Sequence, residues 1–444
     1  MINNPNKTST FVALRNPVYR RLWIPSLISG ICVAAHDTAA MWVMHRLHSS
    51  TFFLSLISTV ASLPLFLFTL PAGALADLID RRTLLRIVNL WLATAAGSLA
   101  LLGWLRFLSP YVLLFSVFTI GVGFAFNAPA WSAMIADVVT PEELPSAGTL
   151  GGLQFNLSGI LGPVLGGLLL YLFGTNAVFA VNAACFLGVI LALSPRRLPE
   201  KERRLPTASF LESVFMVIRY VWRSPSMRVI LGRNVLFAFF ISALPALMPV
   251  VGLKELRLQP CSLGLLFTSM GVGSVCGAVF VLPRLRASFS SNASTVLANF
   301  LEVVTFLLMA FVRQPLVFMV VAALAGMGWT IAAPELWVAG QRNIPEWARG
   351  RLNAIVIVVS QGGMTIGGIV WAFLSQTAGV NATLVLAATT FAISLLLAIP
   401  LSINPVPVTS LNLRPLSRDA VQVRWRSVSR HARSPRRTLF PAGR

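Results

Sequence analysis

The 444-residue chain is 56% hydrophobic and only 11% charged, where an ordinary soluble domain carries about a quarter charged residues, and this excludes a soluble globular protein. Its net charge of +21 does not mark a nucleic-acid binder, because the basic residues fall between apolar runs and in the C-terminal tail rather than on one face of a domain. The cysteines, Cys32, Cys185, Cys261 and Cys276, lack metal-ligand spacing and read as small apolar packing residues.

In chain order, residues 1–21 form a tail bearing Lys7, Arg15, Arg20 and Arg21. The run Leu22–Met44 is too long for a signal-peptide core and has no small-residue cleavage site, so it reads as a retained span. Further apolar runs follow at Phe52–Ala76, Leu84–Leu105, Tyr111–Ile135, Ala147–Phe173 and Ala177–Leu193. Together they make a first half, 22–193. Segment 194–228 is basic and contains an amphipathic stretch, Phe210–Trp222, with Phe210, Val214, Val217 and Val221 at helical spacing. It reads as a helix on the membrane surface that links two halves. Six more runs occupy 229–403: Val229–Val251, Ser262–Leu282, Thr295–Val312, Leu316–Ala339, Ala354–Gln376 and Ala382–Leu401. Runs of this length cross a hydrocarbon core of about 30 Å only as helices, because lipid leaves backbone polar groups no other partner. The fold class expected is all-α, with twelve transmembrane helices. Residues 404–444, with nine arginines, read as a disordered tail attracted to anionic headgroups.

Positive charge predicts the orientation. With the N-terminus inside, 29 of the 35 Lys and Arg residues fall on inner segments. The outer loops hold five, Arg46, Arg106, Lys254, Arg257 and Arg313, and Arg233 lies within a helix. This places both termini in the cytoplasm of a bacterial inner membrane. The halves also repeat: Gly121–Pro129 resembles Gly326–Pro334 at an offset of 205, and Gly166-Gly167 corresponds to Gly367-Gly368 at an offset of 201. Two six-helix halves of this kind are a transporter architecture.

Two motifs sharpen the reading. Gly73, Asp77, Asp80, Arg81 and Arg82 stand at the end of the second span and in the loop beyond it. The glycine predicts a close helix approach, and the aspartates suit a helix N-terminus or an arginine partner. The arginines suit lipid phosphates or Asp80. Gly162, Pro163, Gly166 and Gly167 lie in the fifth span, where proline removes a helix hydrogen bond and glycine permits tight packing.

On these motifs the chain resembles the major facilitator superfamily, over roughly residues 11 to 403. The Ala76-Asp77-x-x-Asp80-Arg81-Arg82 form is similar to the branch containing the enterobactin exporter and macrolide-efflux proteins. Leu78 and Asp80 depart from the usual basic residue and glycine. The resemblance implies that this loop motif locks and releases the conformation closed to the cytoplasm. The glycine–proline motif of the fifth span is similar to the family's antiporter motif and implies export. Thr140–Pro145 and Ile344–Asn353 resemble inner-face loops of the same branch.

Charge inside a membrane helix costs about 2.5–3.5 kcal/mol, so Asp37, Arg233, Glu335 and Glu302 stand out. The resemblance implies that the first, fourth, seventh and tenth spans line a central cavity. Asp37, Arg233 and Glu335 lie on such spans and are the expected substrate and proton path, with Arg233 and Glu335 a candidate pair. Glu302 falls on the ninth span, at the periphery. The fourth span has no arginine, unlike that of many proton-coupled relatives. Trp42, Phe124, Phe126, Trp131, Trp329 and Trp337 suit an amphipathic cargo. The histidines, His36, His45, His48 and His431, form no metal-ligand pattern, and no phosphate-cradling motif is present. The expectation is therefore a monomeric, cofactor-free and metal-free secondary exporter, not an enzyme. Its partners are a siderophore or drug-like molecule, protons and membrane lipids. The alternatives are an uptake permease of the same fold or a membrane receptor or scaffold.

Overall fold

The computed structural model describes residues 11–193, 219–342 and 349–398. The basic tail and all but the last residues of the amphipathic stretch lie outside the described residues, as do residues 344–348 of the loop Ile344–Asn353. Twelve helices are long and apolar enough to cross a membrane. They are α1 (Pro17–Arg46), α2 (Thr51–Leu78), α3 (Arg81–Trp104), α4 (Pro110–Val138), α5 (Leu144–Phe173) and α6 (Thr175–Ala192) in the first half. The second half holds α7 (Pro225–Glu255), α8 (Pro260–Ser288), α9 (Ser291–Phe311), α10 (Pro315–Arg342), α11 (Arg349–Thr377) and α12 (Val380–Ala398). Each apolar run read from the sequence overlaps one of these helices. α7 ends in a π-helical turn, Val251–Glu255, and α8 contains another, Gly277–Val281.

The helix starts follow local chemistry. Pro17, Pro110, Pro225 and Pro260 occupy first-turn positions, where the missing N–H costs nothing. Asn16, Ser109 and Ser290 accept backbone N–H bonds as N-caps. Ahead of α5, Thr140 N–H donates to Glu143 Oε2 at 3.0 Å and Glu143 N–H donates back to the Thr140 hydroxyl at 3.4 Å, a reciprocal capping box.

Within the first half α1 packs on α5 and α6, α3 on α4 and α6, and α2 on α4. In the second half α8 and α9 pack on α10, α7 on α11, and α9 on α12. Two seams join the halves, α2 with α11 and α5 with α8. A shift of 205 residues relates them, carrying the Thr59–Gly368 contact onto Gly264–Pro163. The seam contacts run Thr59–Gly368, Ser62–Thr365 and Phe66–Gly362 on one side. On the other they run Gly167–Pro260, Pro163–Gly264, Ile160–Thr268 and Gly159–Gly271. They run from the end of the bundle far from the N-terminus to its middle. That far end is also laced shut: Lys254 Nζ donates to the Ser49 carbonyl at 3.0 Å and the Thr51 hydroxyl at 3.2 Å, and Phe52 N–H donates to Gln376 Oε1 at 3.2 Å. Toward the N-terminal end, α5 faces open space at Gly148, Gly151 and Gly152, and Phe155 is 81% exposed.

Candidate functional site

Asp37 lies on α1 and is exposed to a cavity of about 300 Å³ between α1, α5 and α8. The cavity begins where the α5–α8 seam ends. Asp37 is the one charged residue in its lining. The rest is apolar or neutral, with Met41, Phe155, Phe267 and Met270 giving soft and aromatic surface and Asn156 and Ser274 giving hydrogen-bonding groups. None of the six aromatics singled out in the sequence is among the lining. Phe124 instead packs on Phe186 at 6.3 Å and Phe126 on Phe68 at 6.1 Å. Phe155 and Phe267 carry no sequence signal beyond hydrophobicity, so nothing marks them before the fold is known.

The glycine–proline motif of α5 builds this cavity. A Cβ on Gly162 would lie 2.4 Å from Ala34 Cβ, and one on Gly166 would lie 2.8 Å from Ala35 Cα, so both residues let α5 press against α1. Gly167 faces the other way, with its Cβ position 2.6 Å from the Pro260 carbonyl of α8. Pro163 lines the cavity itself. The motif is thus the joint at which α1, α5 and α8 meet beside Asp37.

The loop motif between α2 and α3 does different work. Asp80 caps α3, its Oδ2 accepting Thr83 N–H at 2.7 Å. Arg81 pairs with Asp137 of α4 and donates to the Ala133 carbonyl at 3.2 Å. Arg82 Nε donates to the Leu193 carbonyl at 2.7 Å, and Arg86 joins it at 2.7 Å, so two guanidiniums cap the end of α6. Both motif arginines therefore have protein acceptors; the expectation was lipid phosphate or Asp80. The close approach expected at Gly73 is not made in this conformation, since a Cβ there would meet nothing within 4 Å. Asp77 lies in α2, and its side chain is outside the described residues.

Glu335 and Arg233 are both buried, at 1% and 6% exposure, and each has a partner other than the one expected. Arg286 Nε donates to Glu335 Oε1 at 2.6 Å, and Arg233 hydrogen-bonds Asn292. No group of three or more metal-ligating side chains occurs among the described residues. His36 is buried against the Phe179 ring at 4.7 Å. Cys32 and Cys185 face each other across α1 and α6 with sulfurs 3.0 Å apart, a pairing that their separation in sequence hides.

Comparison with known proteins agrees with the architecture. Residues 8–424 match the family described as transmembrane secretion effector (MFS_3). The multidrug efflux pump Tap of Mycolicibacterium fortuitum is 24% identical, over 80% of this chain and 87% of that protein. Macrolide efflux protein A of Streptococcus pyogenes is 22% identical, over 81% and 90%. The enterobactin exporter EntS of Citrobacter koseri is 26% identical, over 79% and 84%. Among solved structures, a bacterial homologue of the human lysosomal transporter Spinster shares the fold with a TM-score of 0.69 at 14% identity, over 89% of this chain and 99% of that one. The chain belongs to the transmembrane secretion effector family of the major facilitator superfamily and is a multi-pass membrane transporter, not an enzyme.

Proposed function

We propose that this transporter exports an amphipathic cation from the cytoplasm by alternating access, with Asp37 exchanging the driving proton for the cationic group of the cargo. The observation that supports this most is the cavity itself. A carboxylate is its one charge, and it sits among aromatic and thioether side chains. Such a wall favours a lipophilic cation through ion pairing and cation–π contact. It disfavours a polyanionic catecholate, whose charge the Asp37 carboxylate would repel. The relatives named for multidrug and macrolide efflux support the export direction.

The moving bodies are the six-helix halves, 22–193 and 229–403, rocking about the two seams. The bias of basic residues toward the N-terminal end supports an orientation with that end in the cytoplasm. The cavity of this conformation then faces inward, and the Lys254 and Gln376 bonds close the outside. The functional unit is one chain.

The test uses everted inner-membrane vesicles from cells that overproduce the full chain. Energised vesicles should accumulate a lipophilic fluorescent cation such as ethidium, and a protonophore should abolish the accumulation. Accumulation equal to that of vector vesicles overturns the cation reading. Uptake into intact cells instead of vesicles overturns the export direction.

A further inference from the structure

α9 carries a line of polar side chains where a peripheral membrane helix should carry none. Ser294, Thr295, Asn299, Glu302 and Thr305 recur at helical spacing, and each is at most 5% exposed. The line starts at the N-terminal end of the bundle, beside the Arg233–Asn292 hydrogen bond, and ends in mid-helix at the α9–α10 interface. Glu302 is fully buried. Its Oε2 accepts the Thr305 hydroxyl at 3.2 Å, while Oε1 has no partner. Asn299 Oδ1, one turn earlier, and Ser294 Oγ are also buried without partners. Opposite, α10 presents bare backbone: a Cβ on Gly328 would lie 2.6 Å from Glu302 Oε1.

The Thr305 hydroxyl and the Trp329 backbone N–H are the donors to the Glu302 carboxyl, and neither carries a charge. Buried polar groups are costly unless hydrogen-bonded, and a buried charge more so unless paired. Among the described side chains no cation pairs with this carboxylate. α9 has no other charged residue, and α12 has none. Among described side chains α10 adds Glu335, about two turns beyond Gly328 and already held by Arg286. Arg284 at the end of α8 donates to the Phe280 carbonyl, and Arg313 caps the far end of α9. A single proton on Glu302 Oε1 resolves the conflict, because it neutralises the carboxylate at an oxygen that has no hydrogen-bond partner.

We propose that Glu302 is a second proton-binding site. It holds a proton in this conformation and releases it to water at the N-terminal face, along the polar line of α9, when the α9–α10 contact loosens. The O–H bond of the carboxyl breaks, the electron pair stays on Oε1, and the proton leaves as hydronium. The site shares no residue with the Asp37 cavity, and the proposal depends on neither cargo nor direction.

Infrared difference spectra of the full chain in liposomes, taken between neutral and alkaline buffer, test this. The wild type should show a protonated-carboxyl C=O band that is lost on alkalinisation. The band should be absent from Glu302→Gln and retained in Asp37→Asn. Labelling wild-type protein with ¹³C-glutamate should move it to lower wavenumber, a result that needs no variant to fold. The proposal is overturned if the band survives in Glu302→Gln, ignores the label, or persists unchanged at every pH the protein tolerates.

Discussion

Arg286 donates from Nε to Oε1 of Glu335 at 2.6 Å, tying the end of α8 to α10. The first half has a counterpart in Arg81 and Asp137, which tie the start of α3 to α4. The repeat offset of 205 carries Arg81 onto Arg286, but it carries Asp137 onto Arg342. The cation has kept its place in the repeat, while the acid of the second half lies about two turns deeper in its helix. Depth changes the energetics. The Asp137 side chain is 29% exposed and that of Glu335 only 1%, so losing the cation strands a buried carboxylate in the second half alone.

Arg286→Ala should therefore destabilise the protein by about 1.5–3 kcal/mol, the range for a hydrogen bond to a charged group. The fully buried figure does not apply, because the Arg286 side chain is 48% exposed. Arg81→Ala should cost less, at about 1 kcal/mol or below. Thermal unfolding in detergent measures both. A double-mutant cycle with Glu335→Gln should recover part of the Arg286 loss, and strict additivity would refute the pairing.

Asp37→Asn removes the one charge in the cavity while keeping its shape. Transport of the lipophilic cation should fall at least tenfold, and the melting temperature should hold, since Asp37 is exposed to the cavity. Asp37→Glu should keep measurable transport. If Asp37→Asn transports at the wild-type rate and remains sensitive to protonophore, Asp37 is a spectator.

Gly73 lies on the same face of α2 as Thr59 and Phe66, by helical spacing. Continuing the antiparallel register of the α2–α11 seam past Phe66–Gly362 puts Ile355 opposite Gly73. The two are apart here, and alternating access, as proposed, predicts that closure of the N-terminal end brings them together. Gly73→Val should leave stability within about 0.5 kcal/mol, the usual range for a site away from packed features. It should nonetheless slow transport severalfold. A Gly73→Cys, Ile355→Cys double variant should crosslink only when cargo drives the cycle, and efficient crosslinking at rest would contradict the closure.

What is legible in the sequence depends on the kind of information each feature needs. Helix existence is encoded along one dimension, and all twelve apolar runs are legible for that reason. The antiporter-like motif is legible because its glycines and proline have meaning wherever they fall in a helix. Partnership is different. Arg286 lies 49 residues from Glu335, and the Leu193 carbonyl lies 111 residues from Arg82. Only the packed bundle selects these pairs from the many arginines on one face. Arg233 and Glu335 illustrate the point, since both are visible as intramembrane charges, yet each finds another partner. The polar line of α9 is periodic, but in the sequence Glu302 stands out only as a lone charge on a peripheral helix. The burial that gives the line its meaning comes from α10.

Gly167 and Lys254 guard the same end of the molecule and separate two ways of opening it. Lys254 closes it by polar bonds to Ser49 and Thr51, and Gly167 by letting α5 touch the backbone of α8 at Pro260. Lys254→Ala removes bonds that can be replaced by water, so it should shift the conformational balance by no more than about 1 kcal/mol. Gly167→Leu puts a side chain where a Cβ alone would sit 2.6 Å from a carbonyl oxygen. Overpacking of this kind costs about 1–3 kcal/mol, and it falls on the conformation that is closed at this end. The variant should therefore populate the opposite conformation. A cysteine placed at Thr38, a cavity-lining position, reports the change through labelling by a membrane-impermeant maleimide added from the far side. Labelling should rise several-fold in Gly167→Leu and by less in Lys254→Ala. Equal, wild-type labelling in both variants would mean that the seam at Gly167 does not gate access to the cavity.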